Sequence, residues 1–369
     1  MWRMASDSRA SQDRASALDQ ASEHHVDGAE SQPQHSTGEV NPIENWAEAT
    51  ESSRQLPRPS VSSTSATGQG SSNPAHESEA ASAPPTNEQD SSRPTDDQII
   101  AQENEIRQEA ERIPFVGDLE PILALQQEYQ SGSSVFLAKI RKLEAMYKSI
   151  RRARGDGNCF FRSFIFAYME NLVHTGDLTE RNRVVTCMRQ WKAKMVEHGF
   201  QELVFEDAME VIVDQLNALG TQDPLTIVSL ESNMRDGMLS NMVIMYMRML
   251  TSCEVQRRQD FFAPFIMGMM DDPVTVEQFC RRYVEPMGEE SDHIHIVAIT
   301  DALQIPIRVV YLDRSMAAFA GAASEDAAAV NHHDFVPEAM QKDTAATVQP
   351  RVHLLYRPGH YDILYPTAA

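Results

Sequence analysis

Basic charge, cysteine and long apolar runs are all scarce in this chain, and each shortage closes off a class of function. Across 369 residues, 32 Lys and Arg stand against 54 Asp and Glu, a formal net charge of -22. Neutralising a run of phosphates needs Lys and Arg, so nucleic acid is not the expected partner. An anionic membrane surface is disfavoured for the same reason. No apolar stretch approaches the roughly 20 residues of a spanning helix. The first residues, MWRMASDSRASQDRAS, lack the apolar segment of a secretory leader, and Asp7 and Asp13 count against a transit peptide. The expected location is the cytosol, with the nucleus as a second compartment. Cysteine occurs only as Cys159, Cys187, Cys253 and Cys280, with no C-x-x-C pair. That spacing disfavours both a zinc site and a disulfide framework. Free thiols fit a reducing compartment. No metal and no cofactor is expected.

Residues 1–94 differ from the rest. They are rich in Ser, Ala, Gln, Pro and Glu and poor in aromatics. Such a segment cannot bury enough apolar surface to offset its ordering entropy, so it is expected to be a disordered acidic tail. Trp2 and Trp46 read as incidental hydrophobes within it. No lysine precedes Lys139, which fits an Arg-biased composition.

Order is expected from Thr95, giving one domain over 95–369. Thr95-Asp96-Asp97-Gln98 has the form of a capping box, and the helix it opens must yield near Pro114. That helix, 95–112, carries a narrow apolar stripe of Ile99, Ile100, Ile106 and Ala110, enough for loose docking or for a partner. Leu137, Ile140, Leu143, Met146 and Tyr147 recur at helical spacing. Phe160 to Val173 is a second apolar helical run, and a Met-rich stretch from Met234 to Met249 reads mainly as core. Ser291 is the expected N-cap of an apolar helix beginning His293-Ile294-His295. Ile307 to Leu312 reads as a strand by its β-branched content. Residues 315–330 are Ala-, Gly- and Ser-rich, a surface loop. Val352 to Tyr356 and Tyr361 to Tyr365 form a closing hairpin around Pro358-Gly359, the pairing for the centre of a type II turn. Helices first and strands late predict an α+β fold with a mostly antiparallel sheet.

The most informative stretch is Arg154-Gly155-Asp156-Gly157-Asn158-Cys159-Phe160-Phe161. Two glycines and an Asn make a tight turn, and an apolar helix follows at once. Cys159 therefore falls at a helix N-terminus, where unpaired N–H groups and the helix dipole favour a thiolate. The same N–H groups can cradle an oxyanion. A thiolate nucleophile needs an imidazole to hold it and to protonate the leaving amine. His360, opening a strand after the Pro-Gly turn, is the best placed. Asp362, two residues on, shares its face and can orient the ring. His293, His295, His332, His333 and His353 are rivals for the base. Each signal alone is weak, since a lone Cys before an apolar helix is usually a small hydrophobe. The case rests on their conjunction. A low-pKa Cys159 would also be open to oxidation.

Asp156-Gly157-Asn158-Cys159-Phe160 resembles the nucleophile motif of the ovarian-tumour (OTU) superfamily of deubiquitinases. Val276-Glu277-Gln278-Phe279-Cys280, Val284-Glu285-Pro286-Met287, Glu290 to Ile296 and Leu354 to Tyr365 are similar to the otubain branch. The resemblance runs from about Thr95 to Tyr365. It implies a papain-like α+β fold and hydrolysis of the isopeptide bond between ubiquitin units, in chains that target proteins to the proteasome. It places the nucleophile on Cys159, the base on His360, the orienting acid on Asp362 and an oxyanion-hole residue on Asp156. It also implies that the helix over 95–112 helps bind the proximal ubiquitin. The partners implied are ubiquitin, polyubiquitin chains and charged ubiquitin-conjugating enzymes, which similar members block without cleavage. The chain is expected to be a monomer. Two departures stand out. Gly155 occupies a position expected to be Pro, and the loop 315–330 is longer and Ala-rich. A papain-like protease for unstructured peptides is the lesser alternative, because the matching blocks extend well beyond the catalytic residues.

Overall fold

The computed structural model describes residues 112–130, 134–313, 330–341 and 348–367. The tail over 1–94, the helix expected over 95–112 apart from its last residue, and nearly all of the loop 315–330 lie outside the described residues.

Two short helices, α1 (Ala124–Tyr129) and α2 (Ser134–Met146), lie between strands β1 (Val116–Pro121) and β2 (Tyr147–Ala153). A helical block follows: α3 (Cys159–Thr175), α4 (Leu178–Glu197), α5 (Glu202–Ala218), α6 (Ile227–Arg235), α7 (Gly237–Arg257), α8 (Gln259–Met269) and α9 (Val276–Phe279). A single π-helical turn, Cys280–Val284, leads towards α10 (His293–Leu303). The remaining elements are β3 (Ile307–Tyr311), β4 (Asn331–Phe335), α11 (Glu338–Gln341), β5 (Val352–Arg357) and β6 (His360–Pro366). Among the described residues, six strands form one sheet in the order β1-β2-β6-β5-β3-β4. Every pairing is antiparallel except β3 with β5. The expected α+β class and mostly antiparallel sheet are therefore what is found.

The central strands are apolar on both sides because both faces of the sheet are covered. Val309, Leu354 and Ile363 point into a large core shared with α3, α5 and α7. Their neighbours Val310, Leu355 and Leu364 point the other way, into a smaller core with Leu125 of α1 and Ile140 and Leu143 of α2. Arg151 of β2 is buried and joins the layers, its Nη2 lying 3.1 Å from Glu170 of α3 and its Nη1 2.8 Å from Glu231 of α6.

Three expectations are corrected. The strands are not all late, since β1 and β2 precede the helical block. Tyr147 does not extend the helical stripe of Leu137, Ile140 and Leu143; it opens β2. There Ile150 stands opposite Glu120 on one side and Leu364 on the other, so two neighbouring strands satisfy the backbone that a longer helix would have used. The N-cap of α10 is Asp292 and not Ser291. Its carboxylate accepts from the Ile294 N–H at 2.9 Å, and its own backbone N–H donates to His295 Nδ1 at 3.1 Å. The methionine stretch is largely core, as read: Met234 and Met247 are fully buried, while Met238 is 69 % exposed.

Candidate active site

The site lies where the N-terminus of α3 meets the β5–β6 hairpin. Cys159 is the first residue of α3 and is nearly enclosed. Asn158 stands at the N-cap position but does not cap the helix with its side chain. Its carboxamide oxygen instead accepts from the Gly288 N–H at 3.0 Å and from two nitrogens of Arg248, at 3.0 and 2.9 Å. The first turn of α3 is thus left without a side-chain acceptor, and its N–H groups remain available beside the thiol.

The turn before it requires glycine. Gly157 has φ +75°, and a Cβ built there would lie 1.8 Å from the Gly288 carbonyl oxygen. Asp156 braces the same turn. One carboxylate oxygen accepts from the Asn158 N–H at 3.0 Å and from Arg162 Nη1 at 2.8 Å. Burial works to raise its pKa, but the bond and charge of Arg162 and the Asn158 N–H outweigh this and hold the carboxyl below its usual range. Gly155 faces the imidazole of His360, and a Cβ there would sit 3.5 Å from its Nδ1, an ordinary contact.

His360 opens β6 after the Pro358-Gly359 turn, in which Gly359 has φ +74° as a type II turn demands. Its Nε2 lies 2.9 Å from Asp362 Oδ1. The Cys159 thiol is near enough to the imidazole to favour its charged form. Burial opposes the imidazolium, yet the Asp362 and Cys159 contacts prevail and raise His360 to about 9. Asp362 is fully buried and accepts in addition from the Ala153 N–H at 3.1 Å and from Arg357 Nη2 at 2.6 Å. These partners overcome burial and keep it ionised below the usual carboxylate range. Behind it, Glu128 of α1 bridges Arg152 (2.5 Å) and Arg357 (2.8 Å), so a string of alternating charge leads from α1 to the imidazole.

The structure therefore gathers Cys159, His360, Asp362 and Asp156 within one site. The rival histidines are occupied elsewhere. His295 is buried between Asp292 and the Tyr283 carbonyl. His353 meets the Tyr147 hydroxyl at 3.1 Å, and burial drives its pKa down to about 4. His293 stacks on Tyr311 and packs against Phe335, while His332 and His333 lie on β4. Sequence reasoning missed Arg162, Arg248, Arg357 and Gly288. For the first two a signal was present: each is a lone cation inside an apolar helical run, a position that is costly unless the charge has partners. A cavity of about 550 Å³ adjoins the turn, lined by Asp156, Asn158 and Phe115 together with Met238, Met242 and Met287.

A thiol at a helix N-terminus, an imidazole against it and a buried carboxylate behind the imidazole define the class of papain-like cysteine hydrolases. Residues 108–366 match the family described as Peptidase C65 Otubain. The chain belongs to the otubain family. It is 46% identical over 263 residues to the OVARIAN TUMOR DOMAIN-containing deubiquitinating enzyme 1 of Arabidopsis thaliana, covering 70% of this chain and 83% of that one. It is 36% identical over 271 residues to Ubiquitin thioesterase OTUB1 of Homo sapiens, covering 73% and 90%. Among solved structures, the complex of h/ceOTUB1 with ubiquitin aldehyde and UBC13~Ub matches with a TM-score of 0.62 at 29% identity, over 74% of this chain and 99% of that one.

Proposed function

We propose that this protein is a deubiquitinating cysteine isopeptidase that cleaves ubiquitin from ubiquitin chains. The observation that carries the proposal is the grouping of Cys159 at the start of α3 with His360, whose Nε2 lies 2.9 Å from the buried carboxylate of Asp362. The names of its relatives support the same reading. In this mechanism the Cys159 thiolate attacks the isopeptide carbonyl carbon. Negative charge collects on the carbonyl oxygen, beside the N–H groups of the turn that Asp156 braces. His360, as imidazolium, gives its proton to the lysine amine as the C–N bond breaks, leaving a thioester on Cys159. Water then attacks the thioester while His360 takes a proton from it, and the ubiquitin carboxylate and the thiolate are released. Asp362 holds the ring in position throughout and favours its charged form.

The expected substrates are chains that target proteins to the proteasome. A panel of di-ubiquitins covering every lysine linkage, assayed with and without a charged conjugating enzyme, tests this. Cleavage of none of them would end the reading, and cleavage led by a different linkage would end the substrate assignment.

A second role is favoured by one finding. Solved neighbours hold UBC13~Ub and UBCH5B~Ub as well as ubiquitin aldehyde. We propose that this chain also binds charged ubiquitin-conjugating enzymes and restrains chain synthesis without cleavage, using residues 95–112. Its acidic balance suits basic partner surfaces. Removing residues 1–112 should abolish that restraint, whereas loss of the Cys159 thiol should not. Restraint that depended on the thiol would count against this role.

The raised pKa of His360 carries a pH dependence. Its charged form is favoured up to about 9, so kcat/KM on di-ubiquitin should fall as the pH rises through that value. The same group favours the folded state fully below its unfolded pKa of 6.5, and that contribution fades as pH climbs to about 9. Asp362→Asn should shift the alkaline limb to lower pH, because the carboxylate is the larger of the two influences that raise the imidazole. An alkaline limb unmoved by Asp362→Asn would contradict this account.

A further inference from the structure

We infer that Arg248 is a positioning residue that locks the nucleophile turn to the base-bearing hairpin through the loop between them. The inference rests on the isopeptidase reading above.

Arg248 lies midway along α7 and is fully buried. Its guanidinium donates to two separate segments. On the nucleophile turn, Nε and Nη2 reach Asn158 Oδ1 at 3.0 and 2.9 Å, and Nη2 reaches the Gly157 carbonyl at 2.9 Å. At the end of the π-helical turn Nη1 reaches the Val284 carbonyl at 3.0 Å, and on the loop that follows Nη2 reaches the Glu289 carbonyl at 2.6 Å. The central carbon of the guanidinium lies over the ring of Phe161 of α3, 5.0 Å from its centre. The acceptors are neutral oxygens, and the carboxylates of Glu289 and Asp156 favour the charge from farther off. A buried charge is in itself weak evidence of a gain in stability. What the fork adds is geometry, because a planar guanidinium fixes several acceptors in one plane.

The loop it grips is the bridge across the site. Gly288 donates its N–H to Asn158, and its carbonyl lies against Gly157. Two residues on, the Glu290 carboxylate packs on the hairpin turn, 3.2 Å from where a Cβ on Gly359 would stand. The Ser291 carbonyl accepts from the hydroxyl of Tyr361, the neighbour of His360. One side chain therefore sets both the turn that presents Cys159 and the loop against which the His360 hairpin rests. Burial lowers the pKa of the guanidinium to about 10, still far enough above neutrality for it to remain charged.

The test compares wild type, Arg248→Lys and Arg248→Met in the full chain, using di-ubiquitin hydrolysis. Active sites are counted by covalent labelling with a ubiquitin carrying a C-terminal electrophile. A displacement of about 1 Å at a reacting centre can cost about 100-fold, so kcat per labelled site should fall about that much in Arg248→Met. KM should stay within about threefold, because ubiquitin binding is not what the arginine supports. Arg248→Lys should recover part of the loss, since an ammonium reaches one or two of the acceptors but not all of them. Arg183→Met controls for stability; that arginine binds Glu180 and the Leu303 carbonyl, away from the site. It should lower the melting temperature while kcat per labelled site stays within about twofold. If the Arg248 variants only lower the labelled fraction, with normal kcat per site, the role is merely structural and the inference is overturned. A rise in KM at constant kcat overturns it too. Should Arg248→Met fail to fold, Arg248→Lys decides alone. Wild type that cleaves no ubiquitin substrate would remove the isopeptidase reading, and this inference with it.

Discussion

Replacing Cys159 with alanine is expected to abolish cleavage of di-ubiquitin while leaving the protein folded. The proposed mechanism has one nucleophile, and no other described cysteine stands near His360. Cys187 donates to the Ala302 carbonyl, and burial pushes Cys253 and Cys280 up to about 12. Removing a nucleophile from a Ser- or Cys-type site costs on the order of 10⁴-fold or more in kcat. The structural cost is small, because alanine is a good helix former and only a sulfur leaves a nearly enclosed position. A stability change within about 1 kcal/mol is expected. Single-turnover hydrolysis and thermal melting measure the two effects separately. Residual cleavage at more than a trace of the wild-type rate would exclude Cys159 as the nucleophile. An unfolded variant would leave the question to His360→Ala, for which an equally large loss is expected.

Gly157→Ala should be the most damaging single-methyl change in the site. The added carbon would stand 1.8 Å from the Gly288 carbonyl oxygen and 2.3 Å from its carbon, both backbone atoms, in a residue with φ +75°. A left-handed backbone alone costs a non-glycine residue about 1 kcal/mol. The clash adds more, since the loop carrying Gly288 must retreat by over an ångström while Asn158 and Arg248 hold it in place. A total near 3 kcal/mol is reasonable, or a fall in melting temperature of about 6–12 °C for a domain of this size. Activity should drop about 100-fold even where the variant folds, because the turn that presents Cys159 has moved. Gly155→Ala is the contrast. Its φ is not positive and its Cβ would meet only the His360 ring, at 3.5 Å, so the melting temperature should change little. Equal melting temperatures for the two variants would show that the close approach of Gly157 and Gly288 is not real.

The contrast also bears on Gly155 as a departure from the family pattern. The turn does not depend on a ring at 155 for its shape. Asp156 and Asn158 lock it from within, Arg162 anchors the Asp156 carboxylate and Arg248 holds Asn158. Rigidity that a proline would give locally is supplied here by buried hydrogen bonds from two helices.

Local chemistry was enough to determine several features from the sequence alone. Gly157-Asn158 ahead of Phe160-Phe161 forces a turn into a helix, which puts Cys159 at a helix N-terminus. Pro358-Gly359 forces a two-residue turn, which puts His360 and Asp362 on one face of a closing strand. These are short-range consequences of backbone sterics and side-chain period, and they hold whatever surrounds them. Even so, bringing the thiol to the imidazole takes partners far apart in the chain, and there the sequence was silent. Tyr147 carried a helical period yet became a strand, because β6 offers its backbone partners more than two hundred residues later. Arg248 and Gly288 reach the turn at Asn158 across separations of 90 and 130 residues. Such contacts depend on how α7 and the loop after Val284 pack over α3, and packing is a property of the assembled core, which no local window of residues contains.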